Sequence, residues 1–314
     1  PYRKGGSLMK KYFILIFLSL LLILSGCKQT ETGTKGTFLG GTDGVSISFV
    51  NLAPPSQFSQ NDSIKVKVLL KNKGETKIAT GNAKSRIFGV ELSNFGLTSE
   101  YRSTLGPLEA QGEFSKEGGE QEIDFGNIKY KLPIINSEEF TLRARLCYPY
   151  QTKASVDVCI KSSLSQESGE QICDVAGEKV ATGSVSSAPI QITSITEQTR
   201  GSDQIRFDIN IENKGVGEVY PVDSKCEDLD NEIKRVENKN KLNVKINSPV
   251  GVICSFRSGE PTSEGVITLD STGKETLSCW KYVEETVVDK LSLTLSYVYR
   301  DQTTKQITIF QSRR

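Results

Sequence analysis

The sequence predicts an all-β protein made of two antiparallel sandwich domains in tandem, with one short helix in the second. Three observations predict it. Apolar and polar residues alternate with a period of two in segment after segment, as in Ile64-Lys65-Val66-Lys67-Val68 and Ile205-Arg206-Phe207-Asp208-Ile209, which puts apolar side chains on one sheet face and polar ones on the other. The segments are short and separated by turn-forming residues, as sandwiches require. One strand pattern also occurs twice: Ile64 to Ile78 carries Asn72-Lys73-Gly74-Glu75, and Ile205 to Val219 carries Asn213-Lys214-Gly215-Val216, an offset of 141 positions (205 less 64).

In chain order, the amino terminus must be set apart from the fold. Lys10 and Lys11 precede an apolar run from Tyr12 to Leu24, broken only by Ser19, and then Leu24-Ser25-Gly26-Cys27. The run is short of the roughly 20 residues that cross a bilayer as a helix, so it reads as a cleaved signal peptide. Leu24, Ser25, Gly26 and Cys27 resemble the lipobox of prokaryotic lipoproteins, bacterial or archaeal. That resemblance implies lipidation of Cys27, whose thiol is the natural acceptor for a diacylglyceryl group, and a firm multi-chain anchor on the outer face of a membrane. Residues 1–27 are therefore assigned to an upstream remnant, Pro1 to Leu8, plus the signal peptide. Residues 28–44, rich in Thr, Gly, Lys and Gln, read as a flexible tether.

About 287 residues remain (314 less 27), a comfortable length for two domains. The first is placed at 45–183 and the second at 184–314, with Gly183 to Pro189 as the connector. Strands are expected at Val45 to Phe49, Ile64 to Leu70 and Phe140 to Leu146, then at Ile190 to Ile195, Ile205 to Ile211, Leu242 to Ile246, Val266 to Leu269, Leu291 to Tyr299 and Gln306 to Phe310. Gly89 to Asp124 looks too polar to add much core. Cys226 to Lys239 has Leu229, Ile233 and Val236 at helical spacing, and is expected to cross the sandwich as a short helix with its charged face in water. A strand ending in Asn-x-Gly resembles the second strand of CARDB-type and related immunoglobulin-like surface domains. The resemblance implies an immunoglobulin-like fold in each half, with Asn72 and Gly74, and Asn213 and Gly215, forming corners where glycine supplies a positive φ.

Of seven cysteines, Cys27 is taken by the lipid, leaving Cys147, Cys159, Cys173, Cys226, Cys254 and Cys279. Even numbers outside the cell point to disulfides. Six cysteines allow 15 connectivities. The first local pairing is Cys147 with Cys159, across a hairpin turning at Gln151-Thr152-Lys153; Cys254 with Cys279 is second, and Cys173 with Cys226 follows by elimination.

Histidine is absent, which removes Ser-His-Asp, Cys-His and imidazole-zinc chemistry. With 39 basic and 38 acidic residues the net charge is +1, so no overall field favours nucleic acid. Adjacent carboxylates at Glu138-Glu139, Glu227-Asp228 and Glu284-Glu285 do not flank a cleft as glycosidase pairs do. Asp223, Glu227, Asp228 and Asp230 lack the spacing of a calcium loop, so no metal or other cofactor is expected. Tyr148, Tyr150, Tyr297, Tyr299 and Trp280 are the aromatic candidates for a sugar or protein surface; in an alternating strand, Cys279 faces inward and Trp280 outward. The reading is a non-enzymatic surface lipoprotein, held to the membrane by its lipid, that acts as an adhesion, envelope-scaffold or complex-accessory module toward a surface protein or glycan. Two alternatives stand beside it: a carbohydrate- or solute-binding accessory of a hydrolase or transporter, and a subunit of a surface filament with open edge strands.

Overall fold

The structure, a computed structural model, describes residues 37–113, 115–162, 173–257 and 259–312. The signal peptide, the lipobox with Cys27 and most of the tether lie outside the described residues. Residues 36–314 form one compact unit.

The protein is all-β. In chain order the strands are β1 (Val45–Phe49), β2 (Gln57–Ser59), β3 (Ile64–Asn72), β4 (Lys84–Phe88), β5 (Arg102–Ser103), β6 (Glu120–Ile128), β7 (Ser137–Ile160), β8 (Ile190–Arg200), β9 (Gln204–Asn213), β10 (Glu218–Pro221), β11 (Lys241–Ser248), β12 (Ile253–Cys254), β13 (Glu264–Thr268), β14 (Lys274–Tyr282) and β15 (Val287–Phe310). A one-turn helix α1 (Leu92–Phe95) sits in the first half; a 3-10 turn (Asp228–Asp230) and helix α2 (Glu232–Asn238) sit in the second. Three sheets result: β1-β3-β6, β12-β14-β9-β8, and an eight-stranded sheet ordered β13-β11-β15-β7-β4-β5, with β10 and β2 also on β15.

Two long strands organise everything. β7 and β15 pair antiparallel along their whole 24-residue lengths, from Ser137↔Phe310 to Ile160↔Val287. On its free side β7 first pairs with β4, while β15 first pairs with β11 and β10. Each long strand therefore gives one end to each half. The boundary at 183–184 divides the chain in sequence, and the two halves share one continuous sheet. The connector is not free either, since Ser155 N donates to Ser184 O and Ser186 N to Lys153 O, both at 2.9 Å, and Ser186, Ser187 and Ala188 are buried.

Period-two alternation is what builds the core. On β3 the buried set is Val66, Val68, Leu70 and Asn72; on β9 it is Ile205, Phe207, Ile209 and Ile211. The segment 89–124, expected to add little, supplies Phe95, Leu97, Leu108 and Ile123 to the core, with Phe95 stacked against Tyr130 and Phe140 at ring centroids of 5.0 and 5.1 Å. A few large side chains among polar ones are enough to cap a sandwich end.

The disulfides are Cys147–Cys226, Cys159–Cys173 and Cys254–Cys279. Three bridges place the chain in an oxidising, extracytoplasmic environment. The second expected pairing is present, and the other two are corrected. There is no hairpin at Gln151-Thr152-Lys153: β7 runs straight through, so Cys147 and Cys159 stand roughly 40 Å apart along one strand. Cys147 instead meets Cys226 on the outer sheet face, in a small cluster with Tyr220, Leu229 and Val298. The helical segment is also shorter than expected. Leu229 is buried, but Ile233 and Val236 are exposed, so α2 lies on the surface without crossing the sandwich.

Candidate functional site

The repeated corner is the first place where sequence-predicted residues meet. In the first half Asn72 ends β3, its Oδ1 accepting from Gly74 N at 3.2 Å and its Nδ2 donating to Thr76 O at 2.8 Å. In the second half Asn213 repeats this with Gly215 N at 3.1 Å and Gly217 O at 2.9 Å. A tyrosine hydroxyl completes each corner: Tyr150 Oη donates to Asn72 Oδ1, and Tyr299 Oη to Asn213 Oδ1, both at 3.2 Å. Neither Gly74 nor Gly215 has a positive φ, which corrects the expected reason for glycine. A Cβ on Gly74 would collide with Tyr150 Oη, Asp43 O and Ser187 O, and one on Gly215 with Tyr299 Oη. The need is close approach, not left-handed backbone.

The tyrosines on which a sugar surface was weighed are therefore interior. Tyr148, Tyr150, Tyr297 and Tyr299 are all buried and form one layer across the centre of the β7–β15 ladder, with Tyr148–Tyr150 ring centroids 5.5 Å apart and Tyr148–Tyr299 6.0 Å apart. Burial holds all four hydroxyls well above their ordinary range. Tyr148 Oη accepts from Val45 N at 3.1 Å and Tyr297 Oη from Ile190 N at 3.4 Å, so each pins the start of its half's first strand. Trp280 is half-exposed beside fully buried Cys279, as alternation requires.

Of the acids in 223–230, Glu227, Asp228 and Asp230 take basic partners. Lys84 pairs with Glu227 at 2.8 Å and Lys234 with Asp228 at 2.9 Å. Asp230 is the hub of a partly buried cluster, held by Arg86 and Arg145 at 2.7 Å each and by Arg300 at 3.1 Å. Among the described residues no group of His, Cys, Asp and Glu is arranged to hold a metal. Glu138 and Glu139 stand consecutively on β7 and point to opposite faces.

Next to this cluster, and sharing Arg145 and Arg300 with it, a cleft of about 380 Å3 opens on the outer sheet face. β7 and β15 supply its floor through Arg145, Arg300 and Gln302; α2 gives one wall through Arg235, Val236 and Lys239, and the second corner gives the other through Val216, Gly217 and Glu218. Arg300 is 4% exposed and donates to Leu229 O at 2.8 Å. Arg145 lies over the Phe88 ring at 4.2 Å, and burial together with neighbouring Arg300 lowers its pKa. Burial and then Asp230 push the Tyr101 hydroxyl up to about 12. The Nε of Arg86 is buried with no hydrogen-bond partner. On the lining itself stand four cations, Arg145, Arg235, Lys239 and Arg300, against two acids, Glu218 and Asp301. The Asp301 carboxyl is raised by burial and accepts from Gln302 N at 2.7 Å. This cleft was not legible in the sequence, because its residues come from four separate elements; Asp230 was noted there only as an acid among acids.

No protein-family model matches the sequence, and no curated protein matches it. Among solved structures, the chain is similar to the secreted serine protease VesC from Vibrio cholerae, at 13% identity over 82% of this chain and 51% of that one, with a TM-score of 0.19. It is also similar to Escherichia coli alpha-2-macroglobulin activated by porcine elastase, at 8% identity over 87% of this chain and 22% of that one, with a TM-score of 0.17. The chain spans about half the length of the first and under a quarter of the second. Superpositions this loose say nothing about shared fold or activity.

Proposed function

We propose that this protein is a lipid-anchored surface module that holds a rigid, partner-binding body off the outer face of a membrane, and that it works by binding and not by catalysis. The observation that carries the reading is the β7–β15 ladder: 24 paired residues bind the two halves into one sheet, so the body keeps its shape at the end of a tether as a spacer or accessory subunit must. The three disulfides agree with an exported chain. The Leu24-Ser25-Gly26-Cys27 motif supports the anchor. For the alternative of sugar recognition, the four tyrosine rings are buried, and Tyr148 and Tyr299 reach a pocket of about 220 Å3 beside Asp43 and Asp301.

Two measurements test this. Metabolic labelling with a lipid precursor is expected to mark the protein and to lose the mark in Cys27→Ser; label retained in the variant removes the anchor. Crosslinking on intact cells, read by mass spectrometry, is expected to return a repeatable protein neighbour, and a protein that crosslinks to nothing on the surface would sink the accessory role.

A further inference from the structure

The repeat gives each half the same corner, but only one of the two is covered. In the first half, residues 184–187 lie along the free edge of β7: Ser155 N donates to Ser184 O, Ser186 N to Lys153 O, and Lys153 N to Ser186 Oγ, each at 2.9 Å. The same segment closes the corner, with Glu75 N donating to Ser187 O at 3.1 Å and Ser187 N donating to Glu75 Oε2 at 2.6 Å. Tyr148 and Tyr150 correspond to Tyr297 and Tyr299 at an offset of 149 (297 less 148), so Lys153 to Ser155 correspond to Gln302 to Thr304 on β15. Past β10 at Arg300 and before β2 at Thr308, no strand among the described residues pairs with that edge of β15. Where Glu75 stands in the first corner, the second has Val216, 93% exposed.

The uncovered edge runs into the cationic cleft, since Arg300, Asp301 and Gln302 line it. Arg145 sits opposite Gln302 in register. Among the described residues, the acid paired with Arg235 is Glu232, at 4.0 Å. Counting the cluster beneath the cleft, Arg86, Arg145, Arg235, Lys239 and Arg300 meet Glu218, Asp230, Glu232 and Asp301, which leaves one positive charge for an incoming anion to neutralise. We infer that this edge and cleft together receive an extended, acidic peptide segment of a partner protein, added to β15 as segment 184–187 is added to β7, with a carboxylate at the Ser186-equivalent position facing Arg145 and Arg235. Strand addition supplies main-chain hydrogen bonds, and the cleft supplies side-chain choice. The inward residues of this edge fix the partner further. Under segment 184–187 they are Thr152, Ala154 and Val156, all buried; at the open edge they are Asp301, Thr303 and Lys305. Inward charges of this kind repel an apolar strand, including one from a second copy of the chain.

The inference rests on the reading of the protein as a partner-binding module. Its test uses the full-length protein in detergent and a fluorescent, blocked pentapeptide, Ser-Val-Glu-Ser-Ala, with Ser-Val-Gln-Ser-Ala as control. The glutamate peptide is expected to bind saturably, the glutamine peptide about tenfold more weakly, and Arg235→Glu to weaken the glutamate peptide about tenfold, the size of one desolvated ion pair. Glu237→Gln, exposed on the same helix and off the cleft, is expected to leave affinity unchanged. Hydrogen exchange at the Thr304 amide is expected to slow on binding. Equal binding of the two peptides, no binding, or equal loss in Glu237→Gln overturns the assignment. So does full displacement by inorganic phosphate without protection at Thr304, which would make this a simple anion site, or self-association abolished by Arg235→Glu, which would make the occupant a second copy. A negative peptide result alongside a repeatable crosslinked neighbour on cells removes this site and leaves the proposed function standing.

Discussion

The two halves solve the same local problem with different chemistry. At the first corner the Glu75 carboxylate accepts from Leu39 N at 2.9 Å, Gly40 N at 3.0 Å and Ser187 N at 2.6 Å, drawing two distant stretches of chain onto the turn. At the second, Val216 faces solvent, and Pro189 O and the Tyr299 hydroxyl hold the turn, accepting from Lys214 N and Gly215 N and from Gly217 N respectively. Farther along the long strands the roles reverse. Thr308 N donates to the backbone oxygen of Ser56 at 2.8 Å, whereas its counterpart Cys159 N donates to both oxygens of Glu197, at 3.0 and 3.1 Å. A repeated fold therefore conserves which backbone groups need partners, and leaves open whether a backbone oxygen, a carboxylate or another molecule supplies them.

The largest effect is expected from the bridge that holds the wall of the open cleft. Cys147–Cys226 spans a separation of 79 residues, and a loop of that size makes the bridge worth about 4 kcal/mol. Cys147→Ser with Cys226→Ser is expected to lower the unfolding free energy by that amount, with a lower urea midpoint, and to loosen the layer containing α2. The shorter Cys159–Cys173 loop, separation 14, is expected to matter less, at about 3 kcal/mol. Denaturation in urea of the two double variants checks the order, and equal midpoints would show that loop length does not govern here.

The edge amides come next. The Glu197 side chain is fully buried; burial, opposed by the Cys159 amide and then by Lys179 at 3.7 Å, raises its pKa to about 7 from 4.5. The folded state thus keeps a proton that the unfolded chain releases, so stability falls as pH rises from about 4.5 to about 7 and is lowest above that window. The swing is on the order of 3 kcal/mol. Glu197→Gln keeps an acceptor for Cys159 N, and is expected to match the parent near pH 4.5 and exceed it at pH 8. Thermal melts across that range check this; an unchanged slope in the variant would place the titrating group elsewhere. No such slope attaches to the Thr308 amide, whose acceptor does not titrate.

Glycine substitution then separates the two corners. Gly74→Ala drives a methyl into two backbone oxygens as well as Tyr150, while Gly215→Ala meets mainly the Tyr299 ring, with Pro189 Cβ at 3.0 Å. Backbone moves less readily than a hydroxyl, so overpacking is expected to cost about 2 to 3 kcal/mol at Gly74 and about 1 kcal/mol at Gly215.

These contrasts also explain what the sequence could disclose. Period-two patterning exposed β3, β9 and most other strands, because alternation is local. Asn72-Lys73-Gly74 and Asn213-Lys214-Gly215 exposed the repeat, because a close approach of chains admits no side chain there. Alternation did not show that Phe140 to Ile160 is one strand: Pro149, Gln151 and Lys153 look like a turn, yet Pro149 tolerates its place opposite Val298, the Gln151 side chain donates to Ser296 Oγ across the sheet, and Lys153 N donates to Ser186 Oγ. Cys147–Cys226 and the Arg86, Arg145, Arg300 and Asp230 cluster stayed hidden because they join residues far apart in sequence, and a lone arginine on a strand looks like any solvated charge.

The smallest effect is also the most direct test of the asymmetry. Glu75→Gln removes the charge from three charge-assisted hydrogen bonds while retaining one acceptor oxygen, and is expected to destabilise by about 2 kcal/mol. Val216→Gln, the matching change at the open corner, alters a side chain that touches almost nothing and is expected to shift stability by no more than about 0.5 kcal/mol. Urea titration of both variants alone checks the contrast. Repeating it with the acidic pentapeptide present sharpens it: bound peptide supplies at the second corner the cover that residues 184–187 supply at the first, so the amide oxygen introduced by Val216→Gln gains a backbone donor, as Glu75 has in Ser187 N, and the change is expected to become stabilising only in the complex.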